Sequence, residues 1–283
     1  MKRILTDEQV AEAYKIYIVQ RLPTRQIGKM FGCSDCVIQK EFTKAGLKVR
    51  DRSRAKQKYP INESIFDNID SEEKAYWLGF LYADGNVSKT NRTRLSLAEQ
   101  DKEIIEKFSI FIFGQIRAKY YKQPKGKKGQ NLFYVDVCNK HIATKLTELG
   151  CPPKKTFILT FPEWLDKSLY SHFIRGYFDG DGCLSNYKEA RKNSIKPYHR
   201  SDVSILSTKE FLVSLQSVFQ TIEINSFISK RYKNRKNNNF NLRIRGNRQI
   251  EKLMSYLYKD ANIFLTRKYN KYLELKTTNE LLK

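Results

Sequence analysis

Residues 75–88 read AYWLGFLYADGNVS, and residues 173–185 read FIRGYFDGDGCLS. Each is an apolar, aromatic run that stops at Asp-Gly and continues into a short alternating stretch. The spacing predicts a helix over each run, an end at the glycine and a strand beyond it. Gly79 and Ala83 lie four residues apart in the first run, as do Gly176 and Gly180 in the second. Side chains four apart share one helix face, and small residues there let two helix backbones approach closely. The two runs are expected to pack on each other, with Gly85 and Gly182 in the left-handed conformation that commonly ends helices.

Working outward, the two runs head an internal repeat. TRLSLAEQDKEIIEKF (93–108) and SDVSILSTKEFLVSL (201–215) each read as a strand running into an amphipathic helix. QIRAKYYKQPKGKKGQNLFYVDVC (115–138) and SFISKRYKNRKNNNFNLRIRG (226–246) each read as two strands joined by a basic loop. Asn139–Ile142 and Asn247–Ile250 open a closing helix in each copy, and about eleven extra residues in the second copy fall in 187–198. The expected fold is α+β: a pseudo-twofold αββαββα repeat in one chain.

Asp84 and Asp181 stand where a carboxylate is unfavourable, at the negative end of a helix macrodipole, a cost of about 0.3–1 kcal/mol each. Close packing of the helices would also bring the two like charges together. Two carboxylates at one locus, with backbone carbonyls beside them, make a hard oxygen site suited to Mg²⁺. Such an ion can activate water and stabilise the leaving oxygen of a phosphodiester.

WLGFLYADG (77–85) and IRGYFDGDG (174–182) resemble the paired signature motifs of the LAGLIDADG homing endonucleases, over about residues 60–283. The resemblance implies a monomer whose two αββαββα halves lay a saddle-shaped sheet over the DNA major groove. It implies double-strand cleavage of a long, nearly asymmetric site, leaving short 3′ overhangs, with two or three Mg²⁺ ions shared by Asp84 and Asp181. Asp179 matches an earlier acid of the motif, and Tyr82 departs from it in the first copy. By the same resemblance, Glu99 or Gln100 and Ser207 fall near the metals, and Lys140 and Arg248 are the expected basic pair beside the scissile phosphates. Alternate strand residues face one side, which offers Arg94 and Ser96; Arg117, Lys119 and Tyr121; Lys230 and Tyr232; and Arg243 and Arg245 for DNA contacts.

The chain has 283 residues, 53 basic and 30 acidic, for a net charge of +23. The charge is clustered: Arg117–Lys128 holds six basic residues and no acid, and 225–276 holds 14 basic against 3 acidic, with aromatics interleaved. That pattern favours a nucleic-acid partner, which the resemblance makes double-stranded DNA. A hydrophobic content of 40% excludes a disordered basic tail, and no run long enough to span a bilayer is present. Five scattered cysteines favour a reducing compartment, such as a bacterial cytoplasm or an organelle matrix, over a disulfide framework.

Residues 1–47 read as a small all-α unit. Thr6 caps a first helix, Pro23 and Thr24 restart the chain, and Ser34 opens a third helix after Gly32 and Cys33, a helix-turn-helix pattern. Asp35, Gln39, Lys40 and Lys44 are its candidate groove contacts. Residues 48–59 read as a basic linker with Arg50, Arg52 and Arg54 on phosphates, followed by halves at 60–165 and 166–283. The unit resembles accessory DNA-binding modules that some homing endonucleases carry. Cys33 and Cys36 have no second pair to complete a zinc site. The intein nucleophile and the terminal His-Asn pair are missing from the sequence, so a free-standing or intron-encoded protein is expected. Two other functions fit the basic sheet: a maturase that binds group I intron RNA, and a DNA-binding regulator that does not cut.

Overall fold

The computed structural model describes residues 5–50, 61–126, 128–189, 198–231 and 238–281. The chain divides into two units, residues 1–60 and 61–283.

Among the described residues, the first unit is three helices around its own core. Helix α1 (Asp7–Val19) starts with a full capping box: Thr6 Oγ1 accepts the Gln9 N–H, and Gln9 Oε1 accepts the Thr6 N–H. Such caps are worth about 1 kcal/mol. Helices α2 (Thr24–Met30) and α3 (Asp35–Lys44) follow, and Val10, Ala13, Tyr17, Ile27, Ile38 and Phe42 fill the centre. Ser34 holds the N-cap position of α3, but its hydroxyl makes no capping bond with a described residue. Between α2 and α3, a Cβ on Gly28 would lie 2.6 Å from the Cys33 carbonyl, so this turn closes only over a glycine. The basic linker begins later than expected. Arg50 donates to the carbonyls of Tyr17, Arg21 and Leu22, and its guanidinium lies 3.8 Å from the Tyr17 ring centroid. Three backbone acceptors and one aromatic face hold Arg50 inside the unit, which corrects its assignment to phosphate. Arg52 and Arg54 lie outside the described residues.

The second unit repeats one plan twice. The first copy runs α4 (Glu72–Ala83), β1 (Asn86–Val87), β2 (Arg92–Ala98), α5 (Lys102–Phe113), β3 (Lys119–Tyr121), β4 (Leu132–Cys138) and α6 (Lys140–Glu148). The second runs α7 (Tyr170–Asp181), β5 (Gly182–Glu189), β6 (Tyr198–Ser207), α8 (Lys209–Thr221), β7 (Phe227–Lys230), β8 (Phe240–Arg245) and α9 (Asn247–Tyr258). A further helix, α10 (Thr266–Leu281), has no counterpart in the first copy. Each copy makes an antiparallel four-stranded sheet, ordered β1-β2-β4-β3 and β5-β6-β8-β7. The expected α+β duplicated fold is present, and the extra residues of the second copy lengthen the β5–β6 hairpin. Among the described residues, no helix is long and apolar enough to cross a membrane.

Helices α4 and α7 pair at the centre of a continuous core. The contact is reciprocal: a Cβ on Gly79 would lie 2.0 Å from the Phe173 carbonyl oxygen, and one on Gly176 would lie 2.0 Å from that of Tyr76. A Cβ on Gly180 would lie 2.3 Å from that of Ala83. Gly85 and Gly182 correct the sequence reading, because neither is left-handed; Gly182 is extended, at φ −86° and ψ 155°. They are required for space. A Cβ would meet the Leu81 carbonyl at 2.5 Å, or the Phe178 ring at 2.1 Å.

Candidate active site

The helix pair delivers Asp84, which caps α4, and Asp181, the last residue of α7, to one end of the interface. A Cβ on Gly180 would lie 3.0 Å from Asp84 Oδ2, so the first copy's acid overhangs the second copy's motif. Both carboxylates touch solvent, yet protein fills most of the space around them. Loss of hydration and the charge of Asp84 push Asp181 up to about 6. Loss of hydration also raises Asp84, against the pull of Lys268, Lys155 and Arg267.

Two lysines that the sequence reading did not single out complete the locus. Lys155 Nζ donates to the carbonyls of Ala83 (3.2 Å) and Gly85. Lys268 Nζ donates to those of Phe178, Gly180 and Gly182. Each lysine neutralises the negative end of its own motif helix, and each favours the ionised form of both acids. These two, with Arg267 and Arg231, are the cations acting most strongly on the carboxylates, and not Lys140 or Arg248. Lys140 is the exposed first residue of α6, and Arg248 lies in the first turn of α9.

The motif position before each alanine or glycine differs between the copies. Asp179 is fully buried and accepts from Tyr76 Oη (2.9 Å), Tyr258 Oη (2.6 Å) and the Leu265 N–H (2.7 Å). Burial raises its pKa, and Lys268 opposes that shift most strongly. Burial in turn pulls Lys268 down to about 8. In the first copy, Tyr82 donates to the Leu149 carbonyl instead. Departure from the acid is thus absorbed by a different anchor for the chain that leads to Lys155.

At the strand-to-helix junctions, Glu99 is exposed and accepts from Asn131 Nδ2 at 2.9 Å, while Gln100 is exposed. The side chain that raises Asp84 is the next one, buried Asp101. Ser207 is buried and lies 2.9 Å from Tyr177 Oη, a phenol that feels both Asp181 and Asp84. Among the described residues, no group of three or more His, Cys, Asp or Glu side chains makes a preformed metal cage. The other donors to a cation would be carbonyls, water and phosphate.

On the sheet faces away from the helices, Arg94, Ser96, Lys119 and Tyr121 share one side by register, and Arg243 and Arg245 share the corresponding side of the second sheet. Asp136 fixes Arg94 through two bonds, at 2.6 and 2.7 Å, and Asp202 lies 3.4 Å from Arg245. Two residues fall outside these rows. Arg117 precedes β3, gives its N–H to Ser109 Oγ and lies 5.8 Å from the Phe113 ring centroid, so it is not in the strand row. Lys230 pairs with Phe240 in register, which puts it on the core-side row at the strand's end. Tyr232 lies outside the described residues. In the first unit, Lys40 and Lys44 are exposed on α3, with Lys44 bonded to Glu41 at 2.9 Å, while Gln39 donates to Thr24 Oγ1 and Asp35 is half-buried.

Comparisons agree with this geometry. The family model described as LAGLIDADG-like domain matches residues 71–149 and 168–258. The probable translation initiation factor IF-2 of Methanocaldococcus jannaschii is 28% identical over 212 residues, 70% of this chain but 16% of that protein. The replication factor C small subunit of the same organism is 26% identical over 181 residues, 59% of this chain and 10% of that protein. The chain thus spans less than a fifth of either relative. The I-LtrWI LAGLIDADG homing endonuclease bound to target DNA shares the fold at TM-score 0.51 and 14% identity, covering 78% of this chain and 91% of that one. Meganuclease I-SmaMI bound to uncleaveable DNA shares it at 0.50 and 13%, covering 72% and 87%. Since the family model takes in more than half of the sequence, including both helices that carry the acids, this chain belongs to the LAGLIDADG-like domain family.

Proposed function

We propose that this protein is a site-specific DNA endonuclease that hydrolyses one phosphodiester in each strand of a duplex, at a long and nearly asymmetric target, leaving short 3′ overhangs. One observation carries the reading: two acids from duplicated helices meet with two lysines at the end of a single helix pair. Solved members of the fold bound to target DNA support it.

The carboxylates fit a divalent metal. They repel each other and sit partly dehydrated, with one raised to about 6, an arrangement that a cation relieves. Asp84 and Asp181 would hold Mg²⁺, which when bound supplies an activated water and stabilises a leaving oxygen. Lys155 and Lys268 keep the motif helix ends fixed and lend positive charge to developing phosphate negativity. Arg94 and Arg245, aimed by Asp136 and Asp202, are suited to purine edges in the major groove. The N-terminal unit is a second DNA-binding element, with α3 presenting Cys36, Lys40, Thr43 and Lys44 to solvent.

The test is cleavage selection on a random duplex library with Mg²⁺. Asp84→Asn and Asp181→Asn should abolish cutting of the selected site while sparing binding. Full cutting by either variant defeats the assignment. Binding of structured intron RNA, with every duplex left intact, would support the splicing role instead.

A further inference from the structure

Arg267 and Lys268 are neighbours in the first turn of α10 but have different partners, Asp101 for the arginine and the carbonyls that end α7 for the lysine. The segment after α9 and the first turn of α10 grip the first copy: Asn262 donates to Glu72, Thr266 to Glu103, and Arg267 to Asp101. Arg267 Nε lies 2.9 and 3.2 Å from the two Asp101 oxygens. The Asp101 side chain is 5% exposed and the arginine 45%. Among the described residues, the two terminal NH₂ groups of Arg267 have no hydrogen-bond partner. A guanidinium held by one edge presents the remaining fork to solvent, the geometry that matches phosphate oxygens. It also stands close enough to Asp84 to favour that acid's charge.

The pseudo-twofold axis does not reproduce this arrangement. At the matching junction of the second copy, the N-cap of α8 is Thr208, which donates to the Leu159 carbonyl. The arginine acting on Asp181 is Arg231, which follows β7. The acids and the lysines Lys155 and Lys268 obey the repeat; Lys154 takes the place of Arg267 in the first copy, but it is exposed, makes no ion pair with a described residue and faces a copy in which Thr208 stands where Asp101 does.

We infer that Arg267, aimed by Asp101, grips the scissile phosphate on the Asp84 side, so that the two strands of the target are cut by unequal machinery. This rests on the nuclease reading. Asp101 acts through Arg267 and is a positioning residue.

The experiment uses the full chain with Mg²⁺ and its selected duplex, labelled on either strand, under single-turnover conditions. Arg267→Gln should slow one strand at least about tenfold and leave the other within about twofold, so that nicked duplex accumulates. Asp101→Asn should slow the same strand by less, and Arg267→Lys should restore part of the rate. A loosened segment would disturb Lys268 as well and slow both strands. Equal slowing of the strands, or no slowing, therefore overturns the inference while leaving the nuclease reading intact. Should Arg267→Gln fail to fold, Arg267→Lys carries the same test, with an expected loss of about threefold or more on one strand only. A wild-type chain that cuts neither strand of any duplex overturns both readings.

Discussion

Gly79 and Gly176 occupy reciprocal positions, each lying against the backbone of the other's helix, with no room for a methyl group on either. Gly79→Ala or Gly176→Ala would force the helix pair apart, because a carbonyl oxygen cannot yield as a side chain can. We expect a loss of about 3 kcal/mol or more from either change, read as a lowered urea midpoint or as insoluble protein. Ala83→Gly, which removes a methyl from the same interface, should cost about 1 kcal/mol.

The two lysines should differ in what they stabilise. Lys268 is buried beside Asp179, while Lys155 is half-exposed and has no acid at the matching position. Lys268→Met should remove about 3–5 kcal/mol, chiefly by leaving a buried carboxylate without a counter-charge. Pairing it with Asp179→Asn should recover part of the loss, and Lys155→Met should cost less than half as much. Denaturant titration of these three variants and of Asp179→Asn alone measures the coupling.

Asp181 is set for chemistry at the expense of the metal-free fold. Its folded pKa, about 6, lies above its ordinary value of 3.8, so the folded chain holds this proton more tightly than the unfolded one. The stabilisation is complete below about pH 4 and is lost as pH rises through 6. In chelator at pH 8, Asp181→Asn should therefore melt higher than wild type, by on the order of 1 kcal/mol after allowing for its contact with water. The difference should vanish near pH 4. Added Mg²⁺ should raise the melting temperature of wild type and not that of the variant. Coincident melting curves at pH 8 would contradict the placement of the acid.

The N-terminal unit should contribute affinity that is separable by salt. The chain from residue 61 onward has its own continuous core and should stay folded without residues 1–60. Its log-log dependence of DNA affinity on KCl should be shallower than that of the full chain, by about 0.9 for each phosphate contact removed. Anisotropy titrations at several salt concentrations give the slope. Identical slopes would mean that α3 does not touch the duplex.

The motif helices, the succession of helices and strands along the chain and the twofold plan were legible because apolar periodicity and small-residue spacing are local properties of the sequence. Lys155 and Lys268 were not, since a lysine capping backbone carbonyls leaves no mark on the residue types it meets. A signal did exist: the basic dipeptides Lys154-Lys155 and Arg267-Lys268 each follow the closing helix of their copy. Lys140 and Arg248 drew attention by their matched register, and the structure sets both on helix starts, as that register implies. Asp101 was one residue beyond the expected position, because the first copy inserts a 3-10 turn, Glu99–Asp101, where the second runs straight from strand to helix. Asp136 and Asp202 orient arginines across strands far apart in sequence, a relation that only register reveals.

The segment Asn262–Arg267 makes the duplicated halves non-interchangeable. Anyone building a chimera of this chain can replace the first half only with one that retains Glu72, Asp101 and Glu103, the anchors that the second half reaches for. A donor lacking them would still bring its own acid and motif helix, yet would leave the C-terminal tail of its new partner unmoored. Recombining target specificities is therefore a directional operation here, more permissive for swaps that keep the original first half in place.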